Sequence, residues 1–153
     1  MDETDKKILS LVQTDANLSV ADVAERAGIS QTPCWRRLKK LEEKGVIKRR
    51  VTLLDPNALG LPLVGYVRIH AKEHSEDWLQ AFAKAVQAIP EIVECHRMTG
   101  DVDYLLKVVA PDMGGYDVIY KQLIRKIDMA DVSVNFSMER LKDTTELPLN
   151  YTD

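Results

Sequence analysis

Eight cationic side chains fall within twenty residues: Arg36, Arg37, Lys39, Lys40, Lys44, Lys48, Arg49 and Arg50. They are opposed by Glu42 and Glu43, giving a net charge of +6 over residues 31–50. The whole chain of 153 residues carries −3, and residues 51–153 hold ten Lys+Arg against sixteen Asp+Glu, a net of −6. A basic cluster on an acidic background suits a polyanionic partner. By itself such a run is more often a solvated helix face, so the frame that carries it decides. A second group with chemical potential is Thr99-Gly100-Asp101-Val102-Asp103. Glycine lets a ligand approach the backbone, exposed amides can take a carboxylate, and a carboxylate can pair with an ammonium. The residues alone more often mark a plain hairpin turn, which needs Gly and Asp for its own geometry.

No other set of reactive side chains converges. Cys34 and Cys95 are far apart with no C-x-x-C spacing, so neither zinc nor a disulfide framework is indicated. Cys34 reads as a small packing residue. His70, His74 and His96 lack metal-ligand spacing, and Cys95 and His96 would face opposite sides of a strand. We expect no metal, no cofactor and no catalytic residues, hence no enzyme. The absence of a signal peptide or an apolar run near 18 residues points to a cytoplasmic chain.

The basic run sits in a consistent helical frame. Ser19 is suited to cap a helix over Val20 to Ala27, with Asp22 at its third position and Leu18 and Val23 as a hydrophobic staple. Val20, Val23, Ala24 and Ala27 form its apolar stripe, and Gly28 supplies a left-handed stop. Ser30 is expected to cap the next helix, with Pro33 in its first turn. Leu38 and Leu41 should face inward, joined by Val46 and Ile47 beyond Gly45. Asp2 to Gln13 predicts a preceding helix with Ile8, Leu9, Leu11 and Val12 inward. Lys48 to Leu54 is β-rich and suits a small wing or connecting strand. Together these predict a winged helix-turn-helix over residues 1–54, its motif at about 20–39, whose second helix can enter a DNA major groove. On that frame Gln31, Thr32, Trp35, Arg36 and Lys39 are candidates for groove or phosphate contact. Arg suits guanine edges and Gln adenine, while Lys40, Lys48, Arg49 and Arg50 suit phosphates. Arg37 belongs to the same DNA-binding set. Trp35 fits core packing and a DNA-facing role about equally.

Residues 55–62, with Pro56, Gly60 and Pro62, read as a linker. Beyond it the pattern changes. Strands are expected over residues 63–71, 91–99, 103–110 and 131–141. Helices are expected over residues 75–89 (Trp78, Leu79, Phe82, Ala85, Val86, Ile89 inward) and after Pro111-Asp112 (Tyr116, Ile119, Tyr120, Leu123, Ile124, Ile127 inward). The order β-α-β-β-α-β predicts a ferredoxin-like domain over 63–142, a four-stranded antiparallel sheet with both helices on one face. The α+β chain would leave the other sheet face as an uncovered apolar surface suited to a dimer. Val132, Val134, Phe136 and Met138 should alternate on the last strand. The tail, 143–153, is polar apart from one Leu-Pro-Leu and reads as loose or packed on a neighbour.

Several local signatures together resemble the Lrp/AsnC, or feast/famine, family of bacterial and archaeal transcriptional regulators. They are Asp2-x-x-Asp5-x-x-Ile8-Leu9, Gly28-Ile29-Ser30-x-Thr32-Pro33-Cys34 and Arg37-Leu38-x-x-Leu41-Glu42-x-x-Gly45-Val46-Ile47. Further on come Glu94-Cys95-His96, Thr99-Gly100-Asp101-Val102-Asp103-Tyr104-Leu105-Leu106 and Met138-Glu139. The resemblance covers nearly the whole chain. It implies binding to a pseudo-palindromic operator in double-stranded DNA, an amino-acid effector, and dimers that often assemble to octamers. It places Thr99, Gly100, Asp101 and Asp103 at an effector pocket between dimers, and implies control of amino-acid metabolism genes. The competing expectation is a metabolite-binding module or enzyme accessory subunit without specific DNA binding.

Overall fold

Capping chemistry sets the helix starts in the first part of the chain. In the computed structural model, which describes residues 1–151, Asp2 accepts from the Asp5 amide and Asp5 accepts from the Asp2 amide, opening α1 (Glu3–Thr14). Ser19 and Asp22 repeat this reciprocal cap on α2 (Val20–Ala27). The third helix, α3 (Gln31–Glu43), departs from expectation: Ser30 is at the cap position but its side chain makes no capping hydrogen bond. The amide that both other caps use belongs to the third helical residue, which here is Pro33 and has no N–H. The proline that favours the helix start therefore removes the serine's partner.

Gly28 ends α2 with φ 74°, and a Cβ there would meet nothing within 4 Å. Its substitution thus isolates backbone strain. We expect Gly28→Ala to cost about 1–2 kcal/mol, the left-handed penalty of an L-residue, read by urea denaturation. No measurable loss would refute the need for this turn geometry.

The three helices close on Ile8, Val23 and Cys34, all fully buried, with Leu9, Ala24, Ala27, Leu38 and Leu41 around them. Leu11, Val12, Val20 and Ile47 are partly buried against this cluster, whereas Val46 turns outward. The expected wing strand is not formed. Lys48 to Asp55 has no strand assignment, and Val51 and Leu53 are exposed. A β-rich segment becomes a strand only when another backbone pairs with it, and among the described residues of this chain none does.

The C-terminal segment is also different from expectation, because it packs on the chain's own first unit. That unit comprises Met1–Leu53 together with the segment from Leu141; Leu54–Arg140 forms the second. The Gln13 side-chain amide donates from Nε2 to the Leu147 carbonyl (3.1 Å) and accepts from the Leu147 N–H (3.0 Å). Leu149 packs against the helical cluster.

The second unit follows the expected β-α-β-β-α-β order: β1 (Leu63–Ala71), α4 (Glu76–Gln87), β2 (Ile92–Arg97), β3 (Tyr104–Ala110), α5 (Met113–Lys126) and β4 (Met129–Phe136). The sheet is antiparallel in the order β2-β3-β1-β4. Ser75 caps α4 through the Trp78 amide and Asp112 caps α5 through the Gly115 amide. Val67, Ile69, Leu106 and Val108 on the sheet pack with Phe82, Ile89, Ile119 and Leu123. Phe82 stacks on Trp78 (centroids 5.1 Å) and meets Tyr104 (4.5 Å). The Trp78 indole donates to the Asp128 carbonyl at 2.8 Å. Leu79 and Ile124, expected inward, are exposed at the margins of their helices.

The last strand is displaced towards the N-terminus relative to expectation. It begins at Met129, opposite Ala71, and ends at Phe136, opposite Gly65 near the start of β1. Beyond it the partner strand runs out, so Met138 and Leu141 are exposed. The uncovered sheet face is apolar only in part. Because Val67 and Ile69 face the helices, Tyr66 and Arg68 face away, in register with Lys107 and Leu105 on β3. Glu94 pairs with Lys107 (2.8 Å) and lies 3.4 Å from His96, while the Arg68 Nε donates to Ser133 (3.2 Å). That face combines this polar network with Tyr66, Leu105 and the Val64–Val109 pair.

Candidate DNA-reading face and effector turn

Helical spacing divides α3 into two faces. Cys34, Leu38 and Leu41 enter the core, and Gln31, Thr32, Trp35, Arg36, Lys39 and Lys40 are exposed on the other side. Trp35 is 52% exposed and lies outside the helical core. The Lys39 ammonium lies 5.3 Å from the Trp35 ring centroid and 3.9 Å from the Glu43 carboxylate. The face combines an amide, a hydroxyl, an indole, a guanidinium and ammonium groups. These are the donors and the apolar surface needed to meet base edges and phosphates. Lys48, Arg49 and Arg50 are exposed in the following segment, with Arg50 paired to Glu42 at 3.0 Å.

Arg37 is placed differently from its neighbours. Its Nη1 lies 2.7 Å from Asp2 and 2.7 Å from Asp5, so one guanidinium nitrogen ties α3 to the first turn of α1. Asp2-x-x-Asp5 was legible as a motif, but its role as the seat for Arg37 was not. The Asp5 amide hydrogen bond and the Arg37 guanidinium hold the Asp2 carboxyl below the usual carboxylate range. Because its folded-state pKa is the lower one, Asp2 adds stability above the unfolded pKa, near 3.9, and loses it as pH falls through the folded value. Asp2→Asn keeps a capping side chain and removes the charge. We expect wild type to be the more stable at neutral pH and the difference to close on acidification below the carboxylate range. Parallel urea curves at pH 7 and in acid check this; a difference that persists in acid would refute it.

Burial pushes the Cys34 thiol pKa up, in keeping with a packing role. Among the described residues no group of three His, Cys, Asp or Glu could hold a metal ion.

In the second unit, Thr99, Gly100 and Asp101 are exposed in the turn between β2 and β3, with Gly100 at φ 107°. Asp103 is engaged internally. Its amide donates to the Ile69 carbonyl (3.1 Å), its carbonyl accepts from the Met98 amide (2.8 Å), and its Oδ2 accepts from the Ala71 amide (2.8 Å). The other carboxylate oxygen lies 3.9 Å from His74. Asp103 thus braces the turn against the end of β1, a role that spacing alone did not reveal.

The family model for a winged helix-turn-helix DNA-binding domain matches residues 1–48, and that for the Lrp/AsnC ligand binding domain matches residues 64–147. A DNA-reading unit followed by a ligand-binding unit defines a DNA-binding transcriptional regulator, not an enzyme. The chain belongs to the Lrp/AsnC family. It is 47% identical over 152 residues to the glutamate uptake regulatory protein of Zymomonas mobilis, spanning 99% of this chain and 93% of that one. It is 41% identical over 150 residues to the transcriptional activator DecR of Escherichia coli K12, spanning 97% and 99%. Its fold matches the crystal structure of an AsnC family regulator from Agrobacterium tumefaciens with TM-score 0.95 and 53% identity, over 99% of both chains. It also matches the regulator NMB0573 of Neisseria meningitidis, in complex with L-Met, with TM-score 0.93 and 34% identity, over 98% of this chain and 97% of that one. Among the described residues no helix is long and apolar enough to cross a membrane.

Proposed function

We propose that the chain binds operator DNA through the outer face of α3 and alters that binding when an amino acid occupies the turn at Thr99, Gly100 and Asp101. The observation that carries the first half is the array Gln31, Thr32, Trp35, Arg36 and Lys39, held outward by the burial of Cys34, Leu38 and Leu41. Lys40, Lys48, Arg49 and Arg50 grip flanking phosphates, and Arg37 positions the helix through Asp2 and Asp5. The effector half is supported by the ligand-binding family match and by the L-Met complex of a relative. In it, Asp103 holds the turn in shape while the exposed amides and Asp101 meet the ligand. Amino-acid metabolism genes are the targets, and a relative named for glutamate uptake supports that class. The working form is a homodimer presenting two copies of α3 to half-sites about one helical turn, ~10 bp, apart, with assembly to an octamer. The protein acts in the cytoplasm, where the chromosome lies.

Selection of bound duplexes from random DNA, followed by footprinting on the protein's own promoter with and without amino acids, tests this reading. Failure to enrich any sequence, with no protection under any condition, would sink it. A thermal-shift screen of the twenty amino acids tests the effector half. A ligand at one hundred times its Kd stabilises the native state by about 2.7 kcal/mol. Asp101→Ala is expected to abolish that shift without moving the ligand-free midpoint, since Asp101 is exposed. An undiminished shift in the variant would remove Asp101 from the site.

A further inference from the structure

We propose that Trp35 makes sequence selection by this chain depend on thymine C5-methyl groups. The inference rests on α3 being the DNA-facing element and adds the chemistry of one position within it. The two tryptophans of the chain are treated in opposite ways. Trp78 is 8% exposed, stacks on Phe82 and donates its indole N–H to a backbone carbonyl. Trp35 is 52% exposed, although it adjoins the fully buried Cys34. Its ring contact is with the Lys39 ammonium, 5.3 Å from the centroid. This indole, left half in water on a helix that buries its other face, lies outside the helical core.

The neighbours on that face are Gln31, Thr32, Arg36 and Lys39, all polar. They meet the hydrogen-bonding atoms that every base pair displays in the major groove. The thymine methyl is the one apolar group displayed there, and it separates A·T from the other pairs by shape and hydrophobicity. Trp35 is the large apolar surface on this face, one helical turn beyond Gln31 and Thr32. The Lys39 ammonium over the ring restrains the indole. Covering a methyl with the ring removes apolar area from water on both partners.

The test uses the full chain and a duplex recovered by selection from random DNA. Each thymine in turn is replaced by deoxyuridine, which deletes the methyl and keeps every hydrogen-bonding atom. Binding is read by fluorescence anisotropy for the wild type, Trp35→Phe and Trp35→Ala. We expect one or two positions per half-site at which the wild type loses about three- to fivefold in affinity, the worth of one buried methyl-sized group. Trp35→Ala should show no loss at those positions, and Trp35→Phe should keep part of it. Unchanged melting of both variants establishes that they fold. A flat deoxyuridine scan in the wild type would overturn the proposal while leaving DNA reading intact. So would an equal loss in Trp35→Ala. Failure of the selection to enrich any sequence would instead overturn the reading of α3 itself, and this proposal with it.

Discussion

Arg36→Ala is expected to weaken binding to a selected operator by about 5- to 150-fold, corresponding to the ~1–3 kcal/mol carried by one bidentate guanidinium contact to a base. Its melting temperature should stay that of the wild type, because Arg36 is exposed on α3 and outside the core. The adjacent Arg37→Ala should behave in the opposite way. It removes the cation shared by Asp2 and Asp5, leaves two carboxylates facing one another, and lowers the melting temperature. Lys40→Ala gives a third pattern: a modest loss on all sequences, with the salt dependence reduced by about one unit. Anisotropy titrations at several salt concentrations, paired with thermal melts, separate the three. If Arg36→Ala binds as tightly as the wild type, the outer face of α3 is not the reading surface.

The second large effect is on stability. Phe82→Ala should destabilise the second unit by about 3–5 kcal/mol, the usual cost of deleting a buried aromatic ring. Phe82 is 2% exposed and forms a three-ring cluster with Trp78 and Tyr104, so its loss leaves a cavity lined by both rings. Against the 5–15 kcal/mol typical of a folded domain, that loss leaves the sheet and its two helices marginal. Urea unfolding followed by circular dichroism measures it. A loss under about 1 kcal/mol would show that Trp78 and Tyr104 collapse into the space, contrary to the packing described.

The helices were legible because local chemistry specifies them. Ser19 and Ser75 cap where their side chains and the following amides allow, and Gly28 stops where a left-handed residue is needed. The alternation of Val132 and Val134 marked the core-facing side of β4, where both pack against the cluster. What local reading missed depends on partners distant in sequence. Lys48 to Leu54 has strand composition but no backbone paired with it among the described residues of this chain. The end of β4 is set by the extent of β1, and composition could not convey that limit. On the candidate site, the outward set on α3 followed from helical spacing. The duties of Arg37 and Asp103 did not, since each is defined by groups about thirty residues away. Trp35 was ambiguous because an indole suits either environment, and only its exposure shows that it lies outside the core.

The return of the C-terminal segment to Gln13 and the helical cluster makes the DNA-reading unit discontinuous: residues 54–140 are inserted between its two pieces. During synthesis from the N-terminus, α1, α2 and α3 emerge first, yet Leu147 and Leu149 emerge only after all four strands of the second unit. The unit that is translated first is therefore the one completed last. A nascent chain has its sheet-bearing half in full before its reading head has received its final piece.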